Sequence, residues 1–337
     1  MRIALVMSHA ERRLDGARRE LLFLRALARR GVEARLFRMH AGAATERDAA
    51  LDGAVTAIFC PSDDSRVPHA QRVSAVLRAE IEAFRPTLLL FKGLGYAVNA
   101  DVTAALAPCP FGLIAGGATN DAVLPRSAIV LAEHEAQAAS AFAEHSAAGR
   151  CMILPKFIDM ALIGNGSPAN PARYDIVNVG GFQDGRKNQA ALLPLARRFR
   201  ICFLGGGEGL EALRAKAPGR ARFLGQRRPH EVYEHLRAAR LMVHVALQDG
   251  LPRAVVEAMA CGRPVVAYRR TLPAGLTHGE HGLLVEPESM EAEVTALLGD
   301  TPRLSAMGQA ARRHALTHHG PDALDRAAAR FLELMGQ

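Results

Sequence analysis

The chain has 337 residues, 49% of them apolar and 23% charged, which is a globular composition of a length that suits two domains and excludes a disordered chain. No apolar run approaches the ~18–20 residues needed to cross a bilayer. The formal net charge of +8 suits an anionic partner, but Trp is absent and aromatics make up only 5%. Stacking platforms for nucleic acid are therefore scarce, and a nucleic-acid partner is not expected. The surplus arginine reads first as solvated helix faces and next as peripheral contact with an anionic membrane surface.

In chain order, Ile3–Met7 reads as a buried strand with no signal peptide around it, since its short apolar run ends in charge. Gly16–Gly31 follows with leucines at 21, 24 and 27, a helical stripe. Strand-length apolar runs then recur at Ala34–Phe37, Val55–Phe59, Thr87–Phe91, Phe111–Ile114, Ala128–Leu131 and Cys151–Leu154, with a helix at Gln71–Phe84. This rhythm predicts a parallel sheet covered on both faces. The segment Ile163–Arg173 is rich in Gly, Asn, Pro and Ser and reads as a linker between domains.

A second series of strands is expected at Asp175–Val179, Arg200–Leu204, Arg222–Leu224, Leu241–Ala246, Pro264–Ala267 and Gly282–Val285, with closing helices near Arg303–Leu316 and Pro321–Leu334. The expected division is 1–162, 174–318, and a C-terminal helix in 319–337 packing back toward the first domain. Cys60, Cys109, Cys151, Cys202 and Cys261 lack CxxC spacing and read as reduced thiols of a cytoplasmic protein. His278, His281, His314, His318 and His319 come without a metal-site pattern, so no metal is expected.

Ligands of doubly wound sheets sit beyond the carboxyl ends of the strands, and there the loops become informative. The strand ending at Val179 leads into Gly180-Gly181-Phe182-Gln183-Asp184-Gly185-Arg186-Lys187-Asn188, where glycines permit close backbone approach and Arg186 or Lys187 could neutralise a phosphate. Taken alone, the same loop could be a tight turn with solvated charges. Gly206 and Gly207 lie in a glycine run after the next strand. Most telling is the stretch from Gln248 to Ala267. Asp249 opens a Gly250-Leu251-Pro252-Arg253 turn, and Glu257 lies eight positions on, in a short helix ended by Gly262. A helix entered from such a turn offers unpaired N–H groups to an anion, and the two acids can hold hydroxyls around it. That is the outline of a nucleotide diphosphate sugar.

This stretch closely resembles the signature of the family-4 retaining glycosyltransferases of the GT-B fold, with Asp249 where the family usually has Glu. Val179, Gly180, Lys187 and Asn188 are similar to the family's diphosphate loop, in which Gly181 takes the place of an arginine. The resemblance implies two Rossmann-like doubly wound parallel-sheet domains facing a cleft. It implies transfer from a nucleotide-sugar donor to a glycan, lipid-linked or small-molecule acceptor, without a resident cofactor. It places Asp249 on donor-sugar hydroxyls, Glu257 on the ribose, Lys187 on the leaving diphosphate, and Gly180, Gly181, Arg186, Gly206, Gly207, Gly250, Leu251, Pro252 and Arg253 along the donor. The N-terminal half resembles the family by rhythm. Its acceptor-side candidates are His9 and Lys92, each equally open to a structural role. Gly181, Asp249 and the lack of the family's N-terminal histidine also fit an alternative, a non-catalytic paralogue that binds nucleotide sugars or partner proteins.

Overall fold

The computed structural model describes residues 1–9, 19–50, 53–164, 172–183, 185–250, 252–271 and 275–336. The chain divides into two compact units, Met1–Pro155 with Leu324–Gln337, and Lys156–Ala323. The division falls ahead of the linker expected at 163–173, of which 165–171 lie outside the described residues. Its cause is packing: Ile158 and Ile163 already share a core with Tyr174, Leu236 and Val256 of the second unit, and Ile158 N–H donates to His319 O at 2.9 Å. From Leu324 onward the helix Pro321–Gly336 counts with the first unit. There Phe331, fully buried, meets Phe23 edge to face at 5.4 Å.

The first unit is built on an eight-stranded sheet: β1 (Arg2–Met7), β2 (Glu33–His40), β3 (Glu46–Ala50), β4 (Val55–Pro61), β5 (Leu88–Lys92), β6 (Phe111–Ile114), β7 (Ile129–Ala132) and β8 (Cys151–Ile153). Their order is β3-β4-β2-β1-β5-β6-β7-β8. All neighbours pair in parallel except β3 with β4. The sequence reading missed β3. An edge strand has one neighbour and needs no continuous apolar run, and β3 carries Glu46, Arg47 and Asp48, with Arg47 paired to Glu80 at 2.7 Å.

The second unit has six parallel strands: β9 (Tyr174–Val179), β10 (Ile201–Leu204), β11 (Ala221–Phe223), β12 (Ala239–His244), β13 (Val265–Tyr268) and β14 (Gly282–Val285), in the order β11-β10-β9-β12-β13-β14. Ile176 and Leu241 belong to one buried cluster and Val177 and Met242 to another, so the sheet is covered on both faces as the uninterrupted apolar strands require.

The two orders fix where ligands can sit. In each sheet the winding reverses once: between β1 and β5 in the first unit, and between β9 and β12 in the second. At such a reversal the loops leaving two adjacent strands turn to opposite faces and open a crevice beyond the carboxyl ends. The loops at the second reversal are those of Lys187 and Asp249. At the first, Lys92 ends β5 and His9 lies two residues beyond the end of β1.

Candidate functional site

Lys187 and Asp249, 62 positions apart, meet at the β9/β12 reversal, where the Lys187 ammonium donates to Asp249 Oδ2. The loops are held to each other by backbone, with Leu247 N–H donating to Arg186 O at 2.8 Å. Arg186 Nη1 donates to Gln248 O at 3.0 Å and stands 3.7 Å from Asp249 Oδ1. Gly250 N–H donates to the same Oδ1 at 3.2 Å. Both cations expected near a phosphate therefore converge on the turn that carries the first acid.

Beneath them lies His244, the last residue of β12 and only 2% exposed. Its Nε2 is 3.3 Å from Asp249 Oδ2, off the line of a hydrogen bond. Burial works to raise the Asp249 pKa, but the adjoining His244 ring and the Lys187 ammonium more than offset it and hold the carboxyl well below its usual range.

The helix Arg253–Ala260 begins after Pro252, and no side chain caps it. Its first-turn amides and dipole therefore face the turn at Asp249. Gly262 (φ +70°) ends it in the left-handed region, as the sequence suggested. Glu257 is buried within this helix, and its Oε1 accepts a hydrogen bond from the Tyr233 hydroxyl at 3.0 Å. Leu251 lies outside the described residues.

The glycines divide by role. Gly205 (φ +140°) lies so close to the first loop that a Cβ would stand 1.9 Å from Gly180 O, and one on Gly207 (φ +142°) would stand 2.7 Å from Phe182 C. Phe182 N–H donates to Gly206 O at 3.0 Å, and Gly209 N–H donates to Phe182 O at 2.9 Å. Gly205 and Gly207 are thus required by the packing of two loops. The atoms nearest a Cβ on Gly206 belong to Gln226, from 3.4 Å, and those nearest one on Gly181 to the end of the flexible Gln183 side chain.

In the first unit His9 and Lys92 line one cavity of about 380 Å³, with Arg38, Tyr96, Gly116 and Gly117 among its other walls. The His9 ring stacks on His69 at 4.7 Å, and Arg38 Nε donates to His9 O at 3.0 Å. Lys92 Nζ stands 3.3 Å from Glu20 Oε1, within a buried ionic group in which Arg19 pairs with Glu20 at 2.9 Å and faces Glu133 at 3.4 Å. A Cβ on Gly116 would stand 2.9 Å from Lys92 Nζ, so this glycine leaves the ammonium its place.

Sequence reasoning singled out neither His244 nor Tyr233 as a partner of the two acids. A lone histidine inside the apolar run Leu241–Ala246 was the available signal for His244; for Tyr233 spacing offered none. The C-terminal histidines do gather, with His314 4.2 Å from His281 and 4.4 Å from His318 between ring centres. Among the described residues, however, no group of three or more His, Cys, Asp and Glu is placed to hold a metal ion. Burial, with the neighbouring histidines, pushes His314 down to about 4; burial likewise takes His319 down to about 4.

The chain is similar to known glycosyltransferases in part of its sequence and in its fold. A family model described as "Glycosyl transferases group 1" matches residues 173–300. A D-inositol 3-phosphate glycosyltransferase 1 of Catenulispora acidiphila is 35% identical over 151 residues, 41% of this chain and 36% of the relative. A D-inositol 3-phosphate glycosyltransferase of Corynebacterium aurimucosum is 33% identical over 132 residues, 35% of this chain and 31% of the relative. The chain thus spans about a third of the length of these curated relatives. Among solved structures, sucrose-phosphate synthase from Thermosynechococcus elongatus superposes with a TM-score of 0.80 at 16% identity, covering 99% of this chain and 98% of that one. HepE of Anabaena in complex with UDP-glucose gives 0.76 at 17% identity, covering 99% of each chain. Residues 173–300 therefore match the model of the glycosyl transferases group 1, and the chain has the GT-B fold of two parallel-sheet α/β domains.

Proposed function

We propose that the protein is a retaining glycosyltransferase that moves a sugar from a nucleotide-sugar donor to a glycan, lipid-linked or small-molecule acceptor. The observation that carries this reading is the convergence of Lys187, Arg186 and Asp249 in front of an uncapped helix that contains Glu257. The family match over 173–300 supports it, as do relatives named as inositol phosphate glycosyltransferases and a structural neighbour holding UDP-glucose.

In this reading the donor diphosphate rests on Lys187, Arg186 and the amides of the helix beginning at Arg253. Asp249 accepts from sugar hydroxyls and Glu257 from the ribose. As the bond from the anomeric carbon to the phosphate oxygen breaks, negative charge grows on the diphosphate, where the cations and the helix dipole stabilise it without further reorganisation. The acceptor hydroxyl attacks the same face, and its proton passes to the leaving phosphate oxygen, which preserves the anomeric configuration. The acceptor occupies the cavity lined by His9 and Lys92. Charge neutralisation is assigned to these side chains, so the reading calls for no resident cofactor.

The first test is a thermal-shift series with UDP-, GDP- and dTDP-sugars, since a ligand held by the folded protein raises its melting temperature by mass action. One nucleotide class should stabilise strongly, and the matching sugar nucleotide should be consumed, by transfer or by slow hydrolysis. Stabilisation without any consumption would instead support a non-catalytic sugar-nucleotide binder. No shift with any nucleotide would overturn both.

A further inference from the structure

His244 is a buried histidine that follows the apolar residues Leu241, Met242 and Val243 of β12, with a ring nitrogen that meets no hydrogen-bond partner among the described residues. A buried polar atom left in that state is destabilising, and a leucine at this position would avoid that cost. The unsatisfied atom is Nε2, 3.3 Å from Asp249 Oδ2. That oxygen is already engaged by Lys187. Asp249 itself is largely buried, its side chain 14% exposed, and a carboxylate so placed needs a partner to stay ionised.

Lys187 cannot serve two anions equally. In the structure its ammonium sits on Asp249. A diphosphate seated at the same loop would draw it away, and Asp249 would then lose its closest partner at the moment when a charged, oriented carboxylate is wanted for the donor sugar. For Oδ2, the oxygen that Lys187 would leave, His244 Nε2 at 3.3 Å is the nearest remaining side-chain donor, while Gly250 N–H stays on Oδ1. We propose that His244 is a positioning residue, a reserve partner that closes its hydrogen bond to Asp249 as Lys187 turns to the donor diphosphate, and so keeps that carboxylate charged and aimed. This inference rests on the reading of the loop as a diphosphate seat and assigns His244 a part in it.

Two measurements decide it. The first needs no turnover: the imidazole proton resonances of the intact chain, labelled with ¹⁵N-histidine, are followed at one pH. The Nε2–H resonance of His244, identified by its loss in His244→Gln, should move downfield in Lys187→Ala, and also in the unmodified chain on addition of inorganic pyrophosphate. A resonance unmoved by Lys187→Ala overturns the proposal, whether or not any nucleotide sugar is a substrate. A resonance moved by Lys187→Ala but not by saturating pyrophosphate overturns the exchange and leaves only a static contact.

The second measurement is kinetic. His244→Leu should lower kcat about tenfold or more while free nucleoside diphosphate binds within about threefold of normal, and His244→Gln, which restores an N–H, should recover most of kcat. Equal losses in the two variants, or a loss of nucleotide affinity matching the loss of kcat, would mark His244 as a packing residue. Should the unmodified protein turn over no nucleotide sugar, the proposed function falls, and the resonance experiment still judges the exchange between Lys187 and His244.

Discussion

Lys187 and Asp249 neutralise each other across the turn, and this pairing changes what their substitution should do. On the proposed reading of this loop as a diphosphate seat, Asp249 competes with the donor diphosphate for the Lys187 ammonium, which it holds in the structure. Replacing it by Asn removes the competitor while keeping the shape of the side chain. We expect Asp249→Asn to lose nearly all transfer, yet to bind free nucleoside diphosphate as tightly as the parent or tighter by calorimetry. Affinity weakened about tenfold or more would place Asp249 on the nucleotide and sink the assignment. Lys187→Ala should act the other way, lowering kcat more than donor binding, because charge on the leaving group is greatest in the transition state. A kcat within about threefold of normal would reduce the loop to a turn. The sequence made both residues legible through their loops, but not their pairing, because a contact across 62 positions leaves no mark in local spacing. Glu257 was legible for a physical reason, since a carboxylate in the run Val255–Ala260 would be costly without a partner. The partner found, Tyr233, comes from a helix whose own pattern gave no sign of it.

At the scale of elements, the site depends on two glycine loops packed back to back. Gly205→Ala would force a Cβ to 1.9 Å from Gly180 O at a φ of +140°, so backbone must move. We expect a loss of at least about 2 kcal/mol in urea unfolding, with donor binding lost in parallel. Gly206→Ala comes no closer than 3.4 Å to its nearest neighbour, Gln226, and should stay within about 0.5–1 kcal/mol of the parent. Equal tolerance of the two would contradict the close packing of residues 180–182 against 205–209. The glycine run was visible in the sequence, but which glycine serves backbone approach and which leaves room for a ligand was not, since that depends on the neighbouring loop. The strands followed the same logic. Those buried on both faces stood out as apolar runs, whereas β3, at an edge and charged, did not differ from a loop.

At the scale of the whole molecule, the histidines govern how stability follows pH. His314 and His319 fall to about 4 against an ordinary 6.5, and burial lowers His235 and His145 in the same direction. The folded protein therefore refuses protons that the unfolded chain accepts once the pH drops below 6.5. Stability should be level above that value, decline as the pH falls toward 4, and stop declining on this account below it. His319 is almost fully buried, and its shift alone corresponds to about 3 kcal/mol; His314, which is partly exposed, contributes less. Asp249 cannot account for a loss in this window, because its pKa is held below 3.8 and its contribution is lost only at lower pH. Urea unfolding from pH 7.5 to 4.5 reads the effect directly. His319→Gln removes the titration and can still donate to Lys156 O, which His319 Nδ1 contacts at 2.7 Å. This variant should match the parent near pH 7.5 within about 1 kcal/mol and surpass it near pH 5. A parent whose unfolding free energy is flat across the window, or a variant that keeps the full acid-dependent loss, would show that the histidine cluster near the C-terminus does not set the acid limit of the fold.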